Sequence, residues 1–246
     1  MKTEQLILAL AADVRPVRRL PKASERCARW LVLALALIAV EAMLGGLRPD
    51  LAEKGRDAGF LLENVSLFLV CVLAARSAFG LSVPDAERPA TTFSLPLLGF
   101  SLWLGLVLVR GRTGVEAGEA ELAASGGMAC VWRILALGML PALACWVMLR
   151  RAAPLAQSWL GLFLSLSAFS LATLGTQTLC ANDGPGHVLA WHCLPVLLLG
   201  LAGGCLGRAA FMAPALRAPA PRPGSQQVRG AGRSGGDRAN SLRDLW

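Results

Sequence analysis

The chain has 246 residues, of which 55% are hydrophobic and 16% charged, with a formal net charge of +8 and a mean hydropathy of +0.55. The apolar residues occur in long blocks, which is typical of a polytopic membrane protein and excludes a large soluble domain. None of the blocks follows the period-two alternation of a membrane β-barrel. The predicted fold class is therefore all-α.

Residues 1–28 form a charged leader ahead of the first apolar block, and no signal-peptide cleavage site is evident in it. Thr3 can cap a helix that Pro16 would end. A helix this short is marginal in water and needs a surface. The bilayer, the protein's own loops and a partner's groove all remain open as that surface. One face of the helix carries four apolar residues: Leu6, Ile7, Leu10 and Val14.

Six apolar blocks follow, and each has roughly the 20 residues that a helix needs to cross a bilayer. Because lipid offers no hydrogen-bond partners, such segments must be helical. The sequence after residue 208 is rich in Pro, Gly, Ala and Arg, so 209–246 is predicted to be a disordered basic tail. The predicted six-helix transmembrane domain covers 29–208, with spans near 29–47, 58–80, 92–109, 128–149, 156–178 and 188–208.

Lysine and arginine are distributed unevenly between the two sides of these spans. The leader region through Arg29 and the tail region from Arg208 carry seven each, and the second and fourth loops carry two each. The first, third and fifth loops carry three, two and none. By the positive-inside rule, both termini should lie in the cytoplasm. The net charge is then mainly a topology signal, and direct nucleic-acid binding is not expected.

Two of the seven cysteines are predicted to share the external face: Cys130 begins the fourth block and Cys180 ends the fifth. An oxidising periplasm permits such thiols to form a disulfide. Arg133 follows Cys130 by one helical turn and either lowers the pKa of that thiol or serves as a structural partner for a carboxylate or a lipid headgroup. The chain contains no CxxC motif, which disfavours a thiol oxidoreductase, and an enzyme is not expected.

A second group of residues, Cys180, His187, His192 and Cys193, has the ligand types that bind thiophilic metals. Their spacing matches no standard zinc pattern. We therefore expect no constitutive metal and no cofactor, although transient capture of a heavy metal is possible chemistry for this set. The alternative for His192 is a place at the membrane interface beside Trp191.

Glu41 and Glu63 are carboxylates within apolar blocks, and ionisable groups at membrane depth often serve proton relay or ion transport. A small polytopic transporter is therefore the alternative function. No inverted repeat with paired broken helices is visible, which disfavours that class. A small-molecule substrate is not expected.

Several short motifs, in this order and spacing, resemble the NrsF-type membrane anti-sigma factors. The resemblance covers most of the chain and is strongest in its first 25 residues and in 125–207. The matching segments include the leader at 1–20, GGMACVWR at 126–133, LGMLPA at 137–142, LRRAAPL at 149–155 and the loop and span at 179–195, with WHCLP at its end.

The resemblance implies a six-helix inner-membrane protein that sequesters an extracytoplasmic-function sigma factor. The family's two periplasmic-side cysteines correspond to Cys130 and Cys180 here, and Cys193 is not one of that pair. Oxidants or heavy metals acting on the two thiols are then expected to release the sigma factor. The expected partners are thus the sigma factor and the lipid bilayer.

Overall fold

The computed structural model describes residues 3–12, 20–83, 89–113, 127–152 and 154–211. Within these ranges the chain is helical and contains no strand. The elements in chain order are α1 (Thr3–Ala12), α2 (Ala23–Gly45), α3 (Leu51–Lys54), α4 (Ala58–Leu81), α5 (Thr91–Thr113), α6 (Gly127–Arg150), α7 (Gln157–Gln177), α8 (Pro185–Val188), a π-helix (Leu189–Cys193) and α9 (Leu194–Phe211).

Six of these segments are long and apolar enough to cross a membrane, which confirms the predicted all-α fold with six spans. Five are the single helices α2, α4, α5, α6 and α7, and the sixth runs from Pro185 to Phe211 through three elements. The first span begins at Ala23, before the predicted start at 29, because the charged residues ahead of the apolar block continue the same helix. The last span ends at Phe211, inside the predicted tail, and the chain beyond it lies outside the described residues.

Helix α7 is the centre of the bundle. Of its most apolar window, 83% is buried, against 22–44% for the other five spans. It packs against α2, α4, α6 and α9. Several of its buried hydroxyl groups bond to carbonyls one turn earlier, such as Ser167 Oγ to Leu164 O at 2.8 Å and Thr173 Oγ1 to Phe169 O at 2.8 Å, whereas Ser170 Oγ has no partner.

Helices α7 and α9 approach each other closely because glycines line their contact. A Cβ atom on Gly161 would lie 2.1 Å from the carbonyl oxygen of Gly203, and one on Gly207 would lie 2.3 Å from that of Gln157. Lipid tails are as apolar as side chains, so helices in a membrane associate mainly through such close packing. The glycines therefore hold α9 against the centre of the bundle.

The loops that join the helices define two opposite ends. At one end, Arg48 N donates to Thr178 O at 3.1 Å, which brings the chain after α2 beside the chain after α7. We call this the cysteine end, because Cys130 and Cys180 lie there. At the other end, the Arg26 guanidinium near the start of α2 donates to Met148 O near the end of α6 at 3.3 Å. Residues preceding α2 therefore connect to the end opposite the thiols.

Gly161→Ala should destabilise the bundle by about 1–3 kcal/mol, because the added methyl meets backbone atoms that cannot move aside independently. Gly200→Ala, in α9 with no atom within 4 Å of the added Cβ, is the matched control. Thermal unfolding of the detergent-solubilised variants measures the difference. Equal midpoints for the two variants would contradict close packing of α7 on α9.

Candidate functional site

The two cysteines predicted to share a face lie side by side. Cys130 is in the first turn of α6 and Cys180 is three residues beyond α7, yet their sulfur atoms are 3.5 Å apart. Both side chains are buried, and neither cysteine is in a disulfide. Cys180 is held in place by its backbone N–H, which donates to Thr176 O at 2.8 Å and continues the last turn of α7.

His187 lies against both sulfurs. Its Nε2 atom is 3.6 Å from Cys130 Sγ and 3.5 Å from Cys180 Sγ. Pro185 begins the short helix α8, where a residue without an N–H is favourable because the first N–H of a helix has no intrahelical acceptor. This helix carries His187, which is buried. His187 therefore forms a compact group with the two thiols.

His192 completes the group, and the π-helix is the reason it can. In an α-helix, two side chains five positions apart point in directions that differ by about 140°. In a π-helix the backbone hydrogen bonds join residues i and i+5, so two such side chains point in nearly the same direction. Leu194 N donates to Leu189 O in this π pattern, and Pro195 has no N–H with which to continue an α-helical ladder. The His187 and His192 rings are consequently 5.3 Å apart.

One ligand atom from each of Cys130, Cys180, His187 and His192 lies within 4.8 Å of the others, and all four side chains are buried. We call these four residues the thiol–histidine cluster. Several of its ring nitrogens have no hydrogen-bond partner: His187 Nδ1 and both nitrogens of His192. Buried polar atoms are rarely left unpaired without a functional cause.

Cys180 is the more acidic thiol of the pair. The hydrogen bond that the Cys130 thiol donates to it lowers the pKa of Cys180, desolvation opposes this effect, and the nearby His192 lowers the pKa further. The thiolate is the form that reacts with oxidants and binds metals. The cluster is therefore suited to thiol oxidation and to metal binding.

A set of ion pairs holds the loop after Cys180, and we call it the Asp183 ion-pair cluster. The Asp183 carboxylate meets Arg48 Nη2 at 2.9 Å and Lys54 Nζ at 2.8 Å. Arg48 also contacts Asp50 at 2.7 Å, and its side chain is fully buried. Hydrogen bonds to Asp50 and Asp183 raise the pKa of Arg48, so this arginine keeps its charge despite desolvation.

Arg110 joins this cluster to the transmembrane core. One guanidinium nitrogen donates to Asp183 O at 3.2 Å, and the other pairs with the buried Glu63 carboxylate at 2.8 Å. Arg110 and Arg48 were not among the predicted site residues. A buried acidic residue such as Glu63 requires a cation, but the sequence offers several and does not say which one pairs with it.

Three other predicted residues lie outside the thiol–histidine cluster. Arg133 is exposed on α6. Cys193 was grouped in the sequence with Cys180 and the two histidines. It lines an apolar pocket with Phe100 and Leu104 instead, because consecutive residues of a helix such as His192 and Cys193 point to different sides. Glu41 is half-buried on α2.

In the leader, α1 covers Thr3–Ala12 and therefore carries three of the four predicted partner-binding residues. The Ile7 side chain is 59% exposed. Leu6 and Leu10 lie on the same helix, and Val14 lies outside the described residues. An apolar side chain as open as Ile7 is compatible with each of the surfaces considered for this helix.

Six apolar spans, with buried thiols and imidazoles brought together at one end, define a polytopic membrane protein. A family model described as negative regulator of sigma F matches residues 10–212. The chain belongs to this family, NrsF, and so to a class of proteins that restrain a sigma factor. No curated protein and no solved structure matches the chain.

Asp183→Asn should loosen the loop after Cys180, because it leaves the buried Arg48 with a single carboxylate partner. The cost should stay below about 3–5 kcal/mol, the value that is typical when a buried charge loses its partner, because Arg48 keeps Asp50. We expect a lower unfolding midpoint and faster maleimide labelling of Cys180. Glu25→Gln is the control, since it removes an exposed pair with Arg29 on α2 that is worth only about 0.3–0.5 kcal/mol. Matching midpoints and labelling rates in both variants would contradict a structural role for the Asp183 ion-pair cluster.

Proposed function

We propose that this protein is an anti-sigma factor of the bacterial inner membrane that holds an extracytoplasmic-function sigma factor at its cytoplasmic end. The sigma factor is released when Cys130 and Cys180 react with an oxidant or a heavy metal at the periplasmic end. The observation that carries the proposal is the 3.5 Å approach of these two sulfurs within a member of a sigma-regulator family.

The charge distribution supports the orientation. The leader and the loops at its end of the bundle are rich in Lys and Arg, and the cysteine end has few, so the positive-inside rule assigns the thiols to the periplasm. Both termini are then cytoplasmic. The leader is the segment we propose for sigma-factor binding, with Leu6, Ile7, Leu10 and Val14 as its apolar anchors.

The proposed reaction with hydrogen peroxide has two balanced steps. The Cys180 thiolate attacks one peroxide oxygen and forms a sulfenic acid, and the other oxygen leaves and becomes water after protonation. The Cys130 sulfur then attacks Cys180 Sγ, forming the disulfide and releasing the second oxygen as water. Each sulfur loses one electron, and the peroxide gains both. A heavy metal would instead bridge the two thiolates.

Helix α6 offers a route from the thiols to the opposite end. It carries Cys130 in its first turn, and in mid-helix the carbonyl of Pro141 accepts a hydrogen bond from Trp30 Nε1 of α2 at 2.9 Å. Near its end, Met148 O accepts from Arg26, which also donates to Ser82 Oγ at 2.8 Å. A shift of α6 would therefore move the start of α2, where the leader joins it.

The energies are of a suitable size. Reversing a two-state equilibrium from 1:99 to 99:1 requires about 5.5 kcal/mol. A disulfide between residues 50 positions apart, as these cysteines are, supplies about 4 kcal/mol in the chain-entropy model. Because this value is measured against the unfolded chain, it is an upper limit, and only its difference between the two folded states drives release.

The transporter alternative gains no support from the site. Glu63, the more buried of the two carboxylates, already has Arg110 as its partner at 2.8 Å, which suits a structural pair better than a proton relay. Substrate flux that is abolished by Glu63→Gln would restore that alternative.

Capture of the cognate sigma factor by the detergent-solubilised protein, before and after hydrogen peroxide or cadmium, tests the proposal. We expect binding in the reduced state and loss of most binding after treatment. Replacement of both Cys130 and Cys180 by serine should preserve binding and abolish release. Cys205→Ser, at an exposed cysteine of α9, is the control and should respond as the natural protein does. Release that persists in the double variant would disprove the sensing role.

Trp30→Phe should weaken the response without affecting thiol chemistry, because it removes the hydrogen bond between α2 and α6 but keeps an aromatic ring. That bond is worth about 1 kcal/mol, or about fivefold in the release equilibrium. Trp103→Phe is the matched control, since its buried Nε1 has no hydrogen-bond partner. The readouts are maleimide labelling of the thiols and sigma-factor capture. An unchanged response in Trp30→Phe would exclude this route through α6.

A further inference from the structure

We infer that the thiol–histidine cluster is a four-coordinate site for a resident d10 divalent cation, zinc by preference, held by Cys130, Cys180, His187 and His192. The inference departs from the sequence-based expectation of no constitutive metal, and its ligand set contains Cys130 in place of Cys193. It rests on the proposed sensing function in one respect, since it names what the sensor holds before a stimulus arrives.

The distances among the Cys130, Cys180 and His187 ligand atoms match three corners of a tetrahedral site, and the His192 ligand atom lies within 4.8 Å of all three. With zinc–sulfur bonds of about 2.3 Å and zinc–nitrogen bonds of about 2.0–2.1 Å, the tetrahedron has edges of about 3.8 Å between two sulfurs and about 3.6 Å between sulfur and nitrogen. The Cys130 and Cys180 sulfurs are 3.5 Å apart, and His187 Nε2 lies 3.6 and 3.5 Å from them. A disulfide would require the sulfurs at about 2.05 Å.

The cluster also has the right charge for its position. Two thiolates and two neutral imidazoles around a divalent cation give a net charge of zero, so the loaded site is neutral at a buried location. Without a cation, the cluster keeps two buried thiols and imidazole nitrogens with no partner on either ring. A cation bound to His187 Nε2 and to one nitrogen of His192 would give the His192 ring a partner and remove part of that cost.

The fold supplies separate support for each ligand. Cys130 comes from α6, Cys180 from the end of α7 and the two histidines from the last span, where the π-helix turns His192 toward His187. A cation would therefore tie three spans together at the cysteine end. An open polar cavity lies next to the loop that follows Cys180, and it is lined by Arg48, Asp50, Lys54, Arg110 and residues 181–184.

The cation also changes how an oxidant would act. Bound zinc keeps both cysteines as thiolates. Oxidation of the two thiolates by hydrogen peroxide, with uptake of two protons, gives one disulfide, two waters and a released zinc ion. The stimulus would then remove the link between α6, α7 and the last span at the moment the disulfide forms. Cadmium, which favours thiolates more strongly, would exchange with zinc at the same four ligands.

The test is the metal content of the reduced, full-length protein in detergent after dialysis against zinc and a weak chelator. We expect about one zinc per chain, and cobalt(II) substitution should give the visible absorption of a tetrahedral thiolate site. His192→Ala and Cys130→Ser should weaken zinc binding by more than about 100-fold, beyond what changes outside the ligand set cause. Cys193→Ser, at the neighbouring cysteine outside the cluster, is the control and should retain full zinc.

Gel filtration and circular dichroism of each variant separate loss of a ligand from loss of folding. The cobalt spectrum of the natural protein tests the site even if a variant fails to fold. No zinc and no tetrahedral cobalt spectrum in the natural protein would overturn the inference, as would undiminished zinc in a folded His192→Ala. Sigma-factor capture on the same samples separates the two proposals. Capture and release without metal refutes only the zinc site, and zinc binding without capture refutes only the proposed function.

Discussion

The close packing of α7 at the centre of the bundle is the interaction on which the other features depend. Glycines bring α9 against it, and hydroxyl side chains that bond within their own helix let it be buried from all sides. The end of α7 carries Cys180, and its neighbours α6 and the last span carry the other three members of the thiol–histidine cluster. The reactive site is thus a direct product of helix packing, since no single segment contains it.

The cysteine end combines two kinds of polar group that behave differently. The Asp183 ion-pair cluster is well satisfied, because Arg48, Lys54 and Arg110 surround the Asp183 loop and each has an oxygen partner. The imidazoles a few residues away have nitrogens with no partner. The ion pairs hold the loop that follows Cys180, which is a member of the thiol–histidine cluster. The satisfied charges and the unpartnered imidazoles are therefore adjacent but separate sets of residues.

A thiol site at one end of a membrane protein affects the other end only through elements that span it. Helix α6 has this property, since Cys130 lies in its first turn and its contacts with Trp30 and Arg26 lie along its later half. The contact partners belong to α2, which follows the leader in sequence. The family's role in restraining a sigma factor requires such a connection if the stimulus and the partner are on opposite sides. The hydrogen bonds between α2 and α6 are few, so a modest rearrangement is sufficient to change them.

The sequence by itself determined the six spans, the all-α class and the family, because bilayer thickness and hydrogen-bond satisfaction leave little choice for long apolar segments. It also predicted that Cys130 and Cys180 share one end, since charge bias orders the loops. Only the tertiary structure decided that His192 and not Cys193 faces those thiols, because a π-helix changes the side on which each residue lies. The pairing of Arg110 with Glu63 was likewise decided by packing. Partner choice between distant residues depends on how helices rotate against one another, and hydropathy carries no information about that rotation.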